Sequence, residues 1–136
     1  MKVFISYSSK DEALATRLVA TLENAGLDAW YQKREIMPGD NWAEKIAQGL
    51  KESNAMVVLV TADALESDAV QSSISYALGE KAFSNRLIPV LVGDSKDFPS
   101  DKIPWIFKRL KTITLPRDSK NDDQFRQIVQ VLKDAA

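Results

Sequence analysis

Two residue types are missing from this chain: its 136 residues include no cysteine and no histidine. Without cysteine there can be no disulfide, thiolate nucleophile or thiolate metal site, and without histidine there is no imidazole base or ligand. Catalysis by Ser-His-Asp or Cys-His groups is therefore excluded. Any reaction would have to use carboxylates, hydroxyls, lysine, arginine or backbone dipoles.

An excess of charge and a long apolar run are also lacking. The 18 basic and 19 acidic residues nearly balance, so no global field favours nucleic acid or an anionic membrane. No run approaches the roughly 18 apolar residues that a membrane helix needs. We expect one domain over residues 1–136, located in the cytoplasm, with no metal and with neither nucleic acid nor membrane as a partner.

What the sequence does contain is a regular alternation of short apolar runs with helical patterns. Such alternation is typical of a parallel sheet covered by helices on both faces. With right-handed crossovers it predicts a three-layer, flavodoxin-like α/β fold with a five-stranded parallel sheet of order 2-1-3-4-5. The predicted strands are 2–6, 27–31, 55–60, 87–92 and 112–115.

Helix boundaries are predicted from capping residues. Ser9 and Glu12 fit an S-x-x-E capping box for a first helix that ends before Gly26. Asp40 is the predicted N-cap of a second helix, and a later helix should run towards Phe83. Between the second strand and the second helix lies a long polar loop. The last helix is marked by Phe125, Ile128, Val129 and Leu132.

Two well-known functions of this fold class do not fit. A phosphoacceptor receiver domain needs acidic residues after strand one, an aspartate after strand three and a lysine after strand five, where this chain has Tyr7-Ser8, Thr61 and Pro116. A dinucleotide-binding Rossmann domain needs G-x-G-x-x-G after strand one, and that motif is absent there.

A longer ordered pattern resembles a known family. Its parts are residues 4–11 (FISYSSKD), 26–30 (GLDAW), 38–42 (PGDNW) and 57–60 (VVLV), with Ser67 beyond them. In this order, the segments resemble the Toll/interleukin-1 receptor (TIR) domain family, most closely its bacterial branch. The resemblance implies signalling by association with other TIR domains, or cleavage of the nicotinamide glycosidic bond of NAD.

The resemblance assigns association to the loop at residues 32–41. Apolar residues at the tip of a polar loop lose stability unless they fold back or meet a partner, and head-to-tail insertion of such a tip would build a homo-oligomer or an open filament. We expect replacement of Gly39, or a charge at Ile36, to weaken association. The predicted assembly residues are Arg34, Glu35, Ile36, Met37, Pro38, Gly39 and Asp40.

The same resemblance implies a site for NAD or a related nucleotide, as ligand or as substrate. The candidate binding residues are Phe4, Tyr7, Ser8, Ser9, Lys10, Asp11, Trp30, Arg34, Trp42 and Ser67. Each also has a simpler interpretation. Ser8, Ser9 and Asp11 would cap the first helix. The simpler interpretation is a solvated side chain for Lys10 and Arg34, and core packing for Trp30 and Trp42.

Enzymes of the family carry their principal catalytic glutamate in a W-x-x-x-E pattern after strand three. Matching that pattern places Ala69 at the tryptophan and Ser73 at the glutamate. A neutral serine cannot stabilise an oxocarbenium-like state, so we expect Ser73 to be incompetent for catalysis. Glu66, Asp68, Glu80 or a neighbouring subunit could supply the missing carboxylate. A nucleoside deoxyribosyltransferase-like enzyme, which also needs a carboxylate nucleophile, is a further alternative.

Overall fold

The computed structural model describes residues 1–80, 83, 86–93, 107, 109–110, 112–115 and 123–135. Its strands are β1 (Lys2–Ser6), β2 (Asp28–Trp30), β3 (Ala55–Val60), β4 (Leu87–Val92) and β5 (Ile113–Leu115). All neighbouring pairs are parallel, in the order β2-β1-β3-β4-β5. The predicted flavodoxin-like sheet is therefore confirmed. The sequence also predicts an irregular loop at residues 93–104 followed by the apolar patch Trp105-Ile106-Phe107. Trp105, Ile106 and most of that loop lie outside the described residues.

Helices cover the sheet on both faces. They are α1 (Glu12–Asn24), α2 (Gln32–Glu35), α3 (Trp42–Glu52), α4 (Ala62–Leu65), α5 (Asp68–Gly79) and α6 (Asp123–Ala135). Leu18 and Leu22 of α1 pack in one core with Ile128 and Leu132 of α6. A second core contains residues of α3 and α5, including Leu50, Val70 and Ile74. None of the helices described here has the length and apolar character that crossing a bilayer requires.

The strands follow the sequence prediction closely because they are apolar along their whole length. All six residues of β3 are buried, as expected for a central strand covered on both faces. Pro89 remains inside β4, opposite Val58, and the pairing of β4 with β5 begins one residue later. The missing N–H of the proline therefore removes at most one ladder hydrogen bond.

The predicted helix starts were wrong at two places. Ser8, not Ser9, accepts a hydrogen bond from the Lys10 N–H at 3.4 Å, and a 3-10 turn at Ser9–Asp11 precedes α1. Asn41, not Asp40, caps α3 by accepting from the Glu44 N–H at 3.1 Å. In both cases a neighbouring polar side chain of equal capping ability competes for the position, so propensity could not choose between them.

Other boundaries also differ from prediction. The loop after β2 contains the short helix α2, and the small polar segment after β3 contains α4. The helix predicted to run towards Phe83 ends at Gly79. The second strand is two residues shorter than predicted, because Leu27 and Tyr31 lie outside its pairing with β1.

Candidate functional site

A narrow cavity lies between the carboxyl end of β1 and helix α5. Phe4 and Trp30 form one wall, with their rings stacked at a centroid distance of 4.7 Å and an interplanar angle of 8°. Tyr7 and Ser73 also line this cavity. The structure thus brings together four of the predicted site residues. The free volume is only about 10 Å³, which is about the space that one water molecule needs.

Ser73, which the resemblance places at the family glutamate, makes its hydrogen bond within its own helix. The side chain is 4% exposed, and its hydroxyl donates to the Ala69 carbonyl oxygen at 2.9 Å. Among the described residues that line the narrow cavity, none carries a carboxylate. A buried hydroxyl bonded in this way offers neither a negative charge nor a base to a reacting sugar.

A larger groove, the α3–α5 groove, opens next to the narrow cavity. Its volume is about 390 Å³ and its lining is mostly apolar. The groove and the narrow cavity share Ile46, Ala69 and Ser73. Trp42 lines the groove and is 44% exposed, so the interpretation of this tryptophan as a core residue was wrong. Trp42, Ile46 and Leu50 recur at four-residue spacing, which is typical of a buried helix face, but all three line the groove.

Of the three carboxylates that could replace the family glutamate, Asp68 alone lines a described cavity that Ser73 also lines. Asp68 is the first residue of α5, five positions before Ser73. Glu66 and Glu80 are exposed and line none of the cavities described here. Asp68 is therefore the carboxylate to test.

Lys10 and Asp11 lie at a different cavity, of about 420 Å³, which Thr61 and Asp63 also line. The Lys10 ammonium is 3.6 Å from an Asp63 carboxylate oxygen. The Thr61 hydroxyl donates to Asp11 at 2.6 Å and also caps α4 by accepting from the Ala64 N–H at 3.0 Å. The structure therefore does not bring Lys10 and Asp11 to Ser73, and Asp11 does not cap α1 with its side chain.

Two candidate binding serines act as helix caps, and a third is exposed. Ser8 caps the 3-10 turn, and Ser67 caps α5 by accepting from the Val70 N–H at 3.3 Å. Ser9 is exposed on that turn. For Ser8 this bond confirms the capping interpretation, and for both Ser8 and Ser67 it uses an acceptor that a ligand would otherwise find free.

Arg34 anchors the loop at residues 32–41 to the domain. Its guanidinium donates to both carboxylate oxygens of Glu23 at 3.0 and 3.1 Å, and to the Ala29 carbonyl oxygen. It also contacts Glu35 at 3.4 Å. The hydrogen bond to Glu23 raises the pKa of Arg34 further. The prediction of a merely solvated arginine was wrong, because α1 places a carboxylate beside this loop.

The tip of the loop forms a closed turn. The Asp40 N–H donates to the Met37 carbonyl oxygen at 3.0 Å, while the Met37 N–H donates to the Asp40 carboxylate at 2.9 Å. Gly39 has φ +92°, a conformation that favours glycine. Ile36 folds back onto the core beneath α3 and α5, whereas Met37 is 58% exposed. The exposed apolar tip is therefore Met37-Pro38.

Tyr7 ties the start of the loop to the sheet. Its hydroxyl oxygen accepts a hydrogen bond from the Lys33 backbone N–H at 3.1 Å. Burial raises the pKa of Tyr7, although this hydrogen bond acts in the opposite direction. The contact could not be read from the sequence, because 26 positions separate the two residues.

Because the pKa of Tyr7 is raised, the folding stability of the protein should decrease at alkaline pH. An unfolded tyrosine ionises near pH 10, so folding favours the neutral phenol and its contribution is complete below about pH 10. That contribution falls as pH rises through the folded-state pKa. We measure the free energy of unfolding of the wild type and of Tyr7→Phe in urea between pH 8 and 11. The difference between the two proteins should decrease at the alkaline end, and a constant difference would contradict a raised pKa at Tyr7.

No metal centre is formed by the residues described: among them, no group of three or more Asp and Glu side chains could hold an ion. Gly49 and Tyr76 are site residues that sequence reasoning missed. Gly49 lies against the Trp30 indole, and Tyr76 lines the α3–α5 groove. The helical spacing of Tyr76 from Ser72 and Ser73 was a signal that could have placed it on the same face.

Comparison with known proteins identifies a family and several enzyme relatives. The family described as TIR domain matches residues 3–129. A probable 2' cyclic ADP-D-ribose synthase of Methanobrevibacter olleyae is 35% identical over 66 residues, which are 48% of this chain and 19% of that protein. An NAD(+) hydrolase of Paracoccus denitrificans is 26% identical over 110 residues, which are 79% of this chain and 37% of that protein.

The fold comparison extends over nearly the whole chain. The crystal structure of the TIR domain of a Toll-related receptor from Hydra magnipapillata has a TM-score of 0.70 and 22% identity, covering 96% of this chain and 97% of that one. At this identity the likeness concerns the fold. The chain spans about a fifth of the length of the first of these two enzymes and somewhat more than a third of the length of the second.

Proposed function

The chain belongs to the TIR domain family, and from that premise we propose that it is a signalling module that acts by associating with other TIR domains and does not cleave NAD. The observation that carries the proposal is the exposed tip Met37-Pro38, held in a closed turn on an anchored loop. An apolar tip fixed in advance loses little conformational entropy when it binds a partner.

Anchoring supports the same proposal. Arg34 connects the loop to Glu23 and to the Ala29 carbonyl oxygen, and Tyr7 accepts from its first turn. These contacts come from α1, from β2 and from the residue that follows β1, so the tip is positioned by the body of the domain. A rigid protrusion of this kind suits recognition of one partner surface.

The absence of NAD cleavage is supported by the chemistry around Ser73. Its hydroxyl is bonded within α5, and the narrow cavity beside it holds about one water. Binding of NAD or a related nucleotide at this end of the sheet is compatible with the proposal, provided that the cavity opens. Phe4, Tyr7 and Trp30 are the residues that would line such an opened site.

Cleavage of NAD is the second candidate function, because one relative is named an NAD(+) hydrolase and the other a probable 2' cyclic ADP-D-ribose synthase. Asp68 is the structural feature that favours it, since this carboxylate and Ser73 line the same groove. If Asp68 took the role of the family glutamate, the chain would release nicotinamide.

Replacing Met37 by serine tests the association proposal directly. Burying a methionine side chain contributes about 1.5–3 kcal/mol, so we expect Met37→Ser to weaken self-association at least about tenfold in sedimentation equilibrium. Leu78→Ser is the matched control, because Leu78 is 46% exposed on α5 and does not line the groove. Equal association of both variants and the wild type would contradict the proposal.

The structure also changes which loop substitution is informative. Ile36 packs against the core, so a charge there would disturb folding as well as association. Gly39 meets no atom within 4 Å, but its φ of +92° would strain any other residue. Met37 avoids both complications, since its side chain is exposed and no core contact depends on it.

A further inference from the structure

We propose that the α3–α5 groove is the acceptor for the loop tip Met37-Pro38 of a second copy of this chain. The inference rests on the proposed association function and adds the partner surface to it. The groove and the tip occur on every copy, so one chain supplies both halves of the contact.

The first argument is the match in character between groove and tip. Trp42, Ile46 and Tyr76 give the groove an apolar lining of about 390 Å³, a volume within the range of sites that enclose a compact ligand. Trp42 remains 44% exposed. Aromatic and methionine side chains are enriched where protein surfaces meet, and Met37 and Trp42 are two of the three large exposed apolar residues described in this structure.

The second argument is charge. Asp68 lies on the groove and is exposed, and Lys33 is exposed at the base of the loop. Within the described part of the chain, neither side chain belongs to an ion pair. A tip that enters the groove of another copy brings a lysine of one chain towards an aspartate of the other, and such complementarity fixes the register of an interface.

The third argument is that the tip does not enter the groove of its own chain. Neither Met37 nor Pro38 is among the residues that line it, and the hydrogen bonds of the Met37–Asp40 turn hold the tip in its present form. Both apolar surfaces are therefore available at once, and association of two copies would cover them together.

A charge exchange between the two surfaces provides the test. Ala47 lines the groove and is exposed on α3, so Ala47→Arg places a cation in the acceptor without entering the core. Met37→Glu places an anion on the tip. In sedimentation equilibrium we expect each single variant to weaken self-association at least about tenfold.

The double variant M37E/A47R should recover most of the lost association, to within about threefold of the wild type, because the new glutamate of one copy would meet the new arginine of the next. Ala20→Arg is the matched control, since Ala20 is an exposed alanine on α1 outside the groove. Thermal unfolding of every variant should match the wild type.

The outcomes separate this inference from the function on which it rests. If Met37→Glu weakens association, while Ala47→Arg has no effect and the double variant is not rescued, the acceptor lies elsewhere and only this inference is overturned. If the wild type stays monomeric up to about 1 mM, or Met37→Glu associates normally, the proposed function falls together with it.

Discussion

Incubated with NAD at high protein concentration, the chain is expected to release nicotinamide roughly 10²–10⁴ times more slowly than a TIR enzyme with its glutamate in place. The expected loss follows from one position. By the resemblance, Ser73 stands where TIR enzymes carry a carboxylate whose charge stabilises the developing oxocarbenium ion, and its hydroxyl donates to the Ala69 carbonyl oxygen.

The assay needs a positive control and one decisive variant. The NAD(+) hydrolase of Paracoccus denitrificans, to which this chain is 26% identical, supplies the reference rate under the same conditions. Asp68→Asn removes the carboxylate that lines the groove with Ser73, and Asp63→Asn is its control on another cavity. Turnover by the wild type that D68N abolishes and D63N preserves would overturn the non-catalytic proposal.

The high protein concentration in this assay tests whether a second copy of the chain is needed for activity. A neighbouring copy could contribute the carboxylate that the narrow cavity lacks, and association would then raise the rate more steeply than in proportion to concentration. We expect no such rise. Measuring release over a hundredfold range of protein concentration distinguishes an inert domain from one that needs a second copy.

Gly49→Ala is expected to cost about 3 kcal/mol of folding stability and to lower the Tm by about 10 °C. A Cβ built at Gly49 would lie 2.4 Å from Trp30 Cε2 and 2.6 Å from Trp30 Cδ2. The indole cannot easily move away from this Cβ, because the Trp30 ring is stacked on Phe4 with the two ring centroids 4.7 Å apart. The usual gain of alanine over glycine in a helix is only about 0.5–1 kcal/mol and is outweighed.

Gly79→Ala is the matched control, because Gly79 is also helical and a Cβ there would meet nothing within 4 Å. That variant should be as stable as the wild type or slightly more stable. Trp30→Phe combined with Gly49→Ala should recover part of the loss, since a smaller ring vacates the space. Urea unfolding of the wild type, Gly49→Ala, Trp30→Phe and the double variant forms a double-mutant cycle, and additive losses would show that the contact with Trp30 is not the cause.

The cause of the Gly49 effect illustrates where sequence reasoning stops. A glycine in the middle of α3 carries no local signal of a close approach, because Trp30 belongs to another element 19 positions earlier. Arg34 and Glu23 are a similar case: both are charged residues in polar surroundings, and their hydrogen bonds form only because α1 passes beside the loop.

Strands were predictable for a physical reason. A strand buried on both faces must be apolar at every position, so β3 is bounded in the sequence itself by Asn54 and Thr61. Helix caps were less predictable, because Ser8 competes with Ser9 and Asn41 with Asp40 for the same role. Local propensity differs little between such neighbours, and long-range packing decides.

The sequence by itself determined the sheet order, because the order follows from the apolar periodicity along the chain. It also determined the family, the absence of cysteine and histidine, and the absence of a glutamate at position 73, because these depend on residue identity alone. Only the tertiary structure decided that Met37 is exposed while Ile36 is packed, that Trp42 faces a groove, and that Asp68 shares this groove with Ser73. Those facts arise where α3, α5 and the anchored loop meet, and the relative placement of separate elements is set by packing between residues far apart in the chain.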